Sequence, residues 1–206
     1  MEYKQLTVQE FVARTGSSDP TPGGGSIAAL TAATGAALVE MMANLTLGKK
    51  GYEEVQEEMH SLQQEAKALE LRFLELLEKD TAAFEALMAA YRLPKENDAE
   101  KAYRSEQIQE TTKMAALVPF TIGELAYELF ALANVVVAKG NKNAITDGAI
   151  AGIQARAAVK SAFLNVKINL GSIKDAHFVE ELTTKMEVME NSLEEKEKSL
   201  LTQLPY

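Results

Sequence analysis

From Glu53 to Leu93 the chain runs without glycine or proline, and Met59, Leu62, Ala66, Leu69, Phe73, Leu76, Leu77, Phe84, Leu87 and Met88 recur at three- and four-residue steps. That is the period of one face of an α-helix; strand side chains alternate every second residue. One helix this long, or two joined by a bend, has to bury its apolar stripe against other helices. The remaining sequence supplies them. Thr7 followed by Glu10 forms a capping box that opens a short helix to about Thr15. A small-residue helix is expected from about Ser26 to Thr46, ended by Gly48-Lys49-Lys50-Gly51. Pro94 stops the long helix, and Asp98 can cap the next, which runs to about Val118. Pro119 suits the first turn of another, reaching Ala138. After the polar turn Lys139 to Asn143 a helix covers Thr146 to Leu170, Gly171 breaks it, and Asp175 can cap a charged C-terminal helix. No stretch keeps a period of two, so no sheet is expected. The pattern predicts an all-α chain, a single domain over residues 1–206. Its form is a multihelical bundle of about seven helices with one long central helix.

Composition narrows the chemistry. Ala, Leu, Glu and Lys dominate, the apolar fraction is 47%, charged residues make up 25% and the net charge is −9. Such a balance disfavours a broad nucleic-acid footprint or an anionic membrane surface. Cysteine is absent, which removes disulfides, zinc–thiolate sites and thiol nucleophiles. Only His60 and His177 occur, both among charged residues, so they read as solvated rather than as ligands. A metal site would rest on carboxylates alone, and none is expected. No early basic-then-apolar segment resembles a signal peptide. The expectations are that no segment spans a membrane and that the protein is cytoplasmic.

Pro20-Thr21-Pro22-Gly23-Gly24-Gly25-Ser26 interrupts the helical text, and a run of alanines, threonines and glycine follows it. Bare N–H groups at a helix start can hold an anion or a polarised carbonyl. The plainer reading is a connector with Ser26 as N-cap. The triplet lacks the lysine of a P-loop and no strand precedes it, so neither a nucleotide loop nor a dinucleotide fingerprint is present. Other polar residues stand where a helical core should be apolar. Asp80 falls beside Leu76, Leu77 and Phe84; Asp147 opens the helix after the Asn141/Asn143 turn; Asn165 and Asn169 share a face; Asn44 ends the small-residue helix just before Lys49 and Lys50. Singly these read as helix charges and inter-helix hydrogen bonds. Together they read as a polar pocket between helices.

Five segments carry a resemblance over about residues 5 to 200: Thr21 to Ser26, Lys50-Gly51-Tyr52, Asp80 to Phe84, Gly140-Asn141 through Asp147, and Asn165-Val166-Lys167-Ile168-Asn169-Leu170. In this order they resemble the cyclodeaminase/cyclohydrolase family of folate one-carbon enzymes. Its members are formiminotetrahydrofolate cyclodeaminase, including the C-terminal part of the bifunctional formiminotransferase-cyclodeaminase, and methenyltetrahydrofolate cyclohydrolase. The resemblance implies an all-helical homodimer with folate sites between helices near the subunit interface. It also implies a tetrahydrofolate derivative as substrate, with no metal or redox cofactor. Both reactions pass through a tetrahedral carbon between N5 and N10 and need proton transfer beside a cationic amidine, which a carboxylate can serve. Asp147 is the first candidate for that role and Asp80 the second. Asn141 can orient water or the leaving nitrogen, and Lys142 can donate a proton. Substrate contacts are expected from Thr21, Pro22, Gly23, Gly24, Gly25, Ser26, Asn44, Lys50, Asn165 and Asn169. The anionic glutamate tail calls for a local cluster drawn from Lys49, Lys50, Lys139, Lys142, Arg156 and Lys167. The chain carries no formiminotransferase domain, which tilts the expectation to the cyclohydrolase, with the cyclodeaminase as alternative. A non-catalytic helical dimer is the reading from another class.

Overall fold

The computed structural model describes residues 2–205, so Met1 and Tyr206 lie outside the described residues. Six α-helices follow one another: α1 Val8–Thr15, α2 Gly24–Asn44, α3 Gln56–Tyr91, α4 Asp98–Lys139, α5 Ile145–Leu170 and α6 Ala176–Leu201. Single 3-10 turns lie at Tyr3–Gln5, Glu53–Val55 and Lys142–Ala144, and no strand occurs among the described residues. Short connections make chain neighbours antiparallel, and α2, α3, α4 and α5 close into a four-helix ring in which α2 also packs on α5. α6 lies outside against α5 and α4. The all-helical expectation holds.

Two details of the pattern change. The expected break at Pro119 is absent: α4 runs unbroken through it for 42 residues, so six helices stand where about seven were expected, and α3 shares its length with a still longer neighbour. Proline removes the N–H that would bond the carbonyl four residues earlier, here Ala115. Asn169 Nδ2, from α5, donates to Ala115 O at 2.9 Å and takes the place of that missing donor. A buried carbonyl satisfied from the neighbouring helix lets α4 continue. The caps also shift. Asn97, rather than Asp98, accepts the Glu100 N–H, whereas Asp175 caps α6 and Thr7 with Glu10 closes the capping box as expected.

The interior of α2 is built from Ala28, Ala29, Ala32, Ala33, Gly35 and Ala36, all buried. Small residues let helices approach closely: a Cβ on Gly35 would stand 3.1 Å from Leu129 Cδ2 and 3.3 Å from Ala151 O. By length and composition alone α2 and part of α4 are apolar enough to cross a membrane. Yet 56% of each apolar window is buried inside the bundle. Their apolarity serves helix packing.

The outward side of the α2/α5 pair is different. Ile27 and Met41 from α2, Leu45 at its C-cap, and Ile150, Ile153, Leu164 and Ile168 from α5 are exposed, with Leu164 at 68% and Ile168 at 75%. Thr34 and Gln154 bridge the two helices on the same seam at 3.2 Å. Around the other end, α3 and α4 outrun their partners: Gly25 meets Asp80, and Asn169 meets Ala115. Phe84 to Tyr91 and the first turns of α4 therefore project as a two-helix arm beyond the start of α2.

Candidate active site

The sequence-predicted residues divide between the two ends of α2, whose 21 residues span about 30 Å. At the first end, Gly23 is the N-cap and Gly24 and Gly25 are already helical, so the helix opens two residues earlier than expected. Ser26 is thus not the cap. It is fully buried and donates its hydroxyl to Asp80 Oδ2 at 3.0 Å, with Thr81 Oγ1 3.4 Å away. The Ser26 backbone N–H also faces the carboxylate. The protein's own Asp80 therefore occupies part of the positive end of α2. This contact requires glycine at 25, where a Cβ would collide with Asp80 Oδ1. Burial pushes the Asp80 carboxyl above its ordinary value, and the Ser26 hydroxyl and N–H draw it partly back.

Beside that turn lies a cleft of about 570 Å³ lined by Pro22, Gly23, Gly24, Ile27, Leu164 and Asn165, with Thr15, Asp19, Pro20 and Ser161 at its edges. Asn165 Nδ2 donates to Ser161 O at 2.9 Å, and its amide lies just over 3 Å from where a Gly24 Cβ would stand. Thr21 faces the other way, its carbonyl 3.3 Å and its hydroxyl 3.1 Å from Tyr3 Oη. The sequence brought out the glycines and Asn165 but not Ile27 and Leu164, whose exposed positions give them no periodic signature. Asn169 bonds Ala115 O and Asn165 O and lies behind the cleft rather than in it.

At the second end, Asn141, Lys142, Asp147, Asn44 and Lys50 gather around the turn between α4 and α5. Asn141 is buried, its N–H donating to Thr46 Oγ1 at 2.9 Å and its Nδ2 to Leu45 O at 3.1 Å, while its Oδ1 accepts from the Asn143 N–H. Lys142 Nζ donates to Val137 O and Ala138 O, the last carbonyls of α4. Tyr52 Oη accepts from the Lys142 N–H at 3.0 Å. Asn44 accepts from Gln63. Lys50 is exposed on a turn whose Gly48 and Gly51 have φ of 68° and 89°, conformations that favour glycine. Asp147 is half-buried in the first turn of α5, next to Gly148, whose Cα packs on Met42 and Val137.

The expected basic cluster forms only in part. Lys49, Lys50, Lys139 and Lys142 share the turn end, with Lys139 paired to Glu58, whereas Lys167 and Arg156 stand elsewhere on α5, paired with Glu190 and Glu197. Among the described residues no group of three or more metal-ligating side chains occurs.

Fold and site define an all-helical protein whose candidate ligand cleft is built on the start of a small-residue helix and opens onto an exposed face rich in apolar side chains. A family model described as formiminotransferase-cyclodeaminase matches residues 7–188. The chain belongs to the formiminotransferase-cyclodeaminase family, cyclodeaminase part. It is 41% identical over 181 residues to a methenyltetrahydrofolate cyclohydrolase of Methylorubrum extorquens, covering 88% of this chain and 87% of that protein. It is 33% identical to the formimidoyltransferase-cyclodeaminase of Sus scrofa, over 83% of this chain but 32% of the larger relative. The crystal structure of formiminotetrahydrofolate cyclodeaminase from Thermotoga maritima superposes with a TM-score of 0.88 at 31% identity, covering 98% of both chains.

Proposed function

We propose that this protein is a methenyltetrahydrofolate cyclohydrolase, converting 5,10-methenyltetrahydrofolate and water to 10-formyltetrahydrofolate in the cytoplasm. The carrying observation is the 41% identity, nearly end to end, with a protein of that name, against 33% with the pig cyclodeaminase. Cyclodeaminase action on 5-formiminotetrahydrofolate is the second reading, favoured by the TM-score of 0.88 to a protein so named.

The working unit is a homodimer paired through the outward face of α2 and α5. That face carries Ile27, Met41, Ile150, Ile153, Leu164 and Ile168, and an exposed apolar surface of this kind is characteristic of an interface. In an antiparallel, two-fold pairing the glycine end of one copy meets the turn end of the other. A single copy holds Asp80 and Asp147 about 30 Å apart; the pair brings them to one cleft. The glycine-turn N–H groups and Asn165 hold the pterin's polar edge, and Ile27 and Leu164 its flat faces. Asp147 of the second copy takes a proton from water as oxygen bonds to the methenyl carbon. The same carboxylate returns the proton to N5 as the carbon–N5 bond breaks and N5 keeps the electron pair; the carbinol proton then leaves to solvent. Asp80, held by the Ser26 hydroxyl, stabilises the cationic amidine. Asn141 and Lys142 hold the turn that aims Asp147. This chemistry needs no metal or redox cofactor.

The test is a pair of absorbance assays on purified protein. Loss of the methenyl chromophore above its spontaneous hydrolysis establishes the cyclohydrolase. Its appearance from 5-formiminotetrahydrofolate, with ammonia released, establishes the cyclodeaminase instead. Silence in both from folded dimer returns the protein to a binding or assembly role.

A further inference from the structure

A second cleft of about 260 Å³ adjoins the first, sharing Asp19 and Pro20 with it. Its floor is the projecting part of α3, through Phe84, Met88 and Arg92, and Arg14 from α1 faces them across the Pro20–Thr21 segment. Asp80, Phe84, Met88 and Arg92 are spaced by four, so they follow one ridge of α3. The ridge runs from the carboxylate under the glycine turn, past an aromatic ring and a thioether, to a guanidinium about 18 Å away. Helical side chains lean toward the N-terminus, which shortens that reach. Tyr3 Oη bonds Thr21 and fixes the segment that separates the two clefts.

The charges here are specific. Arg14 is held by Asp19 at 3.3 Å, and Glu85 lines the same cleft. Arg92 sits at the C-cap of α3 and has no ion-pair or hydrogen-bond partner for its side chain among the described residues. Of the other basic residues expected to serve an anionic tail, Lys139, Lys167 and Arg156 are paired with acids, and within one copy Lys49, Lys50 and Lys142 lie at the far end of α2.

We infer that this second cleft takes the p-aminobenzoyl-glutamate part of the substrate, with Phe84 and Met88 against the benzoyl ring and Arg92 binding the glutamate carboxylates. The inference rests on the folate reading above and adds to it a tail-reading element on the α3 arm. Arg14 contributes when the tail competes with Asp19 for it. An additional γ-linked glutamate continues past Arg92 along the arm, into solvent.

The experiment compares three substrates: 5,10-methenyltetrahydropteroate, which has no glutamate, and the mono- and triglutamyl forms of 5,10-methenyltetrahydrofolate. In Arg92→Gln the ratio of KM for the monoglutamyl substrate to KM for the tail-less one rises about tenfold over the parent. Arg92→Lys recovers part of that ratio, and Arg92→Glu exceeds the glutamine variant. Thermal midpoints of all three identify any variant that has lost its fold, and Phe84→Leu supplies a second measurement by weakening all ring-bearing substrates alike. An unchanged ratio in Arg92→Gln and Arg92→Glu overturns the inference while leaving the enzyme reading intact. A parent protein silent on every substrate overturns the function reading, and the tail cleft falls with it.

Discussion

The two ends of α2 carry similar sets of polar residues and treat them in opposite ways. At the turn end Thr46, Asn141, Lys142 and Tyr52 satisfy one another and the last carbonyls of α4, so almost every donor has a structural partner. At the glycine end a carboxylate is pressed against a helix start that only a residue without Cβ can present, and burial raises its pKa. A closed network stabilises; a carboxylate held against its solvation is the kind of group found where chemistry occurs. Asp147 is the exception at the turn end, half-buried and with no hydrogen bond or ion pair among the described residues. The contrast separates residues that fix geometry from the two that remain chemically available.

The largest expected effects fall on those two. Asp80→Asn and Asp147→Asn should each lower kcat by about 10²- to 10⁴-fold, measured by loss of the methenyl chromophore. Asp80→Asn also carries a stability signature. Because burial raises the Asp80 pKa, its contribution to stability is full below the ordinary carboxylate range and is lost as pH rises through the pKa it has in the fold. At neutral pH the asparagine variant, which still accepts from Ser26, should melt no lower than the parent. Its advantage should shrink as pH falls to about 4. A large drop in melting temperature at pH 7 would make Asp80 a structural cap and nothing more.

Next comes Gly25→Ala, whose Cβ would collide with Asp80. It should cost about 1–3 kcal/mol in denaturant unfolding and lower turnover by displacing the carboxylate. Gly24→Val is milder, since its side chain meets only the movable Asn165 amide. It should raise KM with little change in melting temperature. Equal effects at the two glycines would blur the distinction between the helix start and the cleft.

At the turn end the expected loss is in stability. Asn141→Ala strands Leu45 O and the Asn143 N–H and should cost about 1–3 kcal/mol. The smallest effect is the most specific. Asn169→Ala should cost about 1 kcal/mol by orphaning Ala115 O, and much less in a Pro119→Ala background, where the helix supplies its own donor. Additive costs in that cycle would refute the account of how α4 passes through its proline.

That cycle also marks where sequence reading ran out. Helix content and most termini followed from periodicity and from Thr7, Pro94, Gly171 and Asp175, because those signals are local. The break expected at Pro119 failed because its remedy, Asn169, lies fifty residues downstream on another helix. Asp80 was visible as a polar residue on an apolar seam, but its pairing with Ser26 is a contact between helices that no spacing announces. The glycine triplet was legible as a break in the helical text, whereas its third member, Gly25, is explained only by the Asp80 carboxylate that faces it. The predicted basic cluster came only in part, because Lys167 and Arg156 lie elsewhere on α5, where each meets an acid on α6.

Whether the two ends form one site across two copies is tested most directly by mixing inactive variants. Asp80→Asn and Asp147→Asn proteins, unfolded together and refolded at equal concentration, should yield mixed dimers in which one cleft has both carboxylates. The account predicts recovery of roughly a quarter of the parent activity, since half the dimers are mixed and each has one intact cleft of two. A mixture as inactive as either variant alone, with dimers demonstrably exchanged, would contradict it.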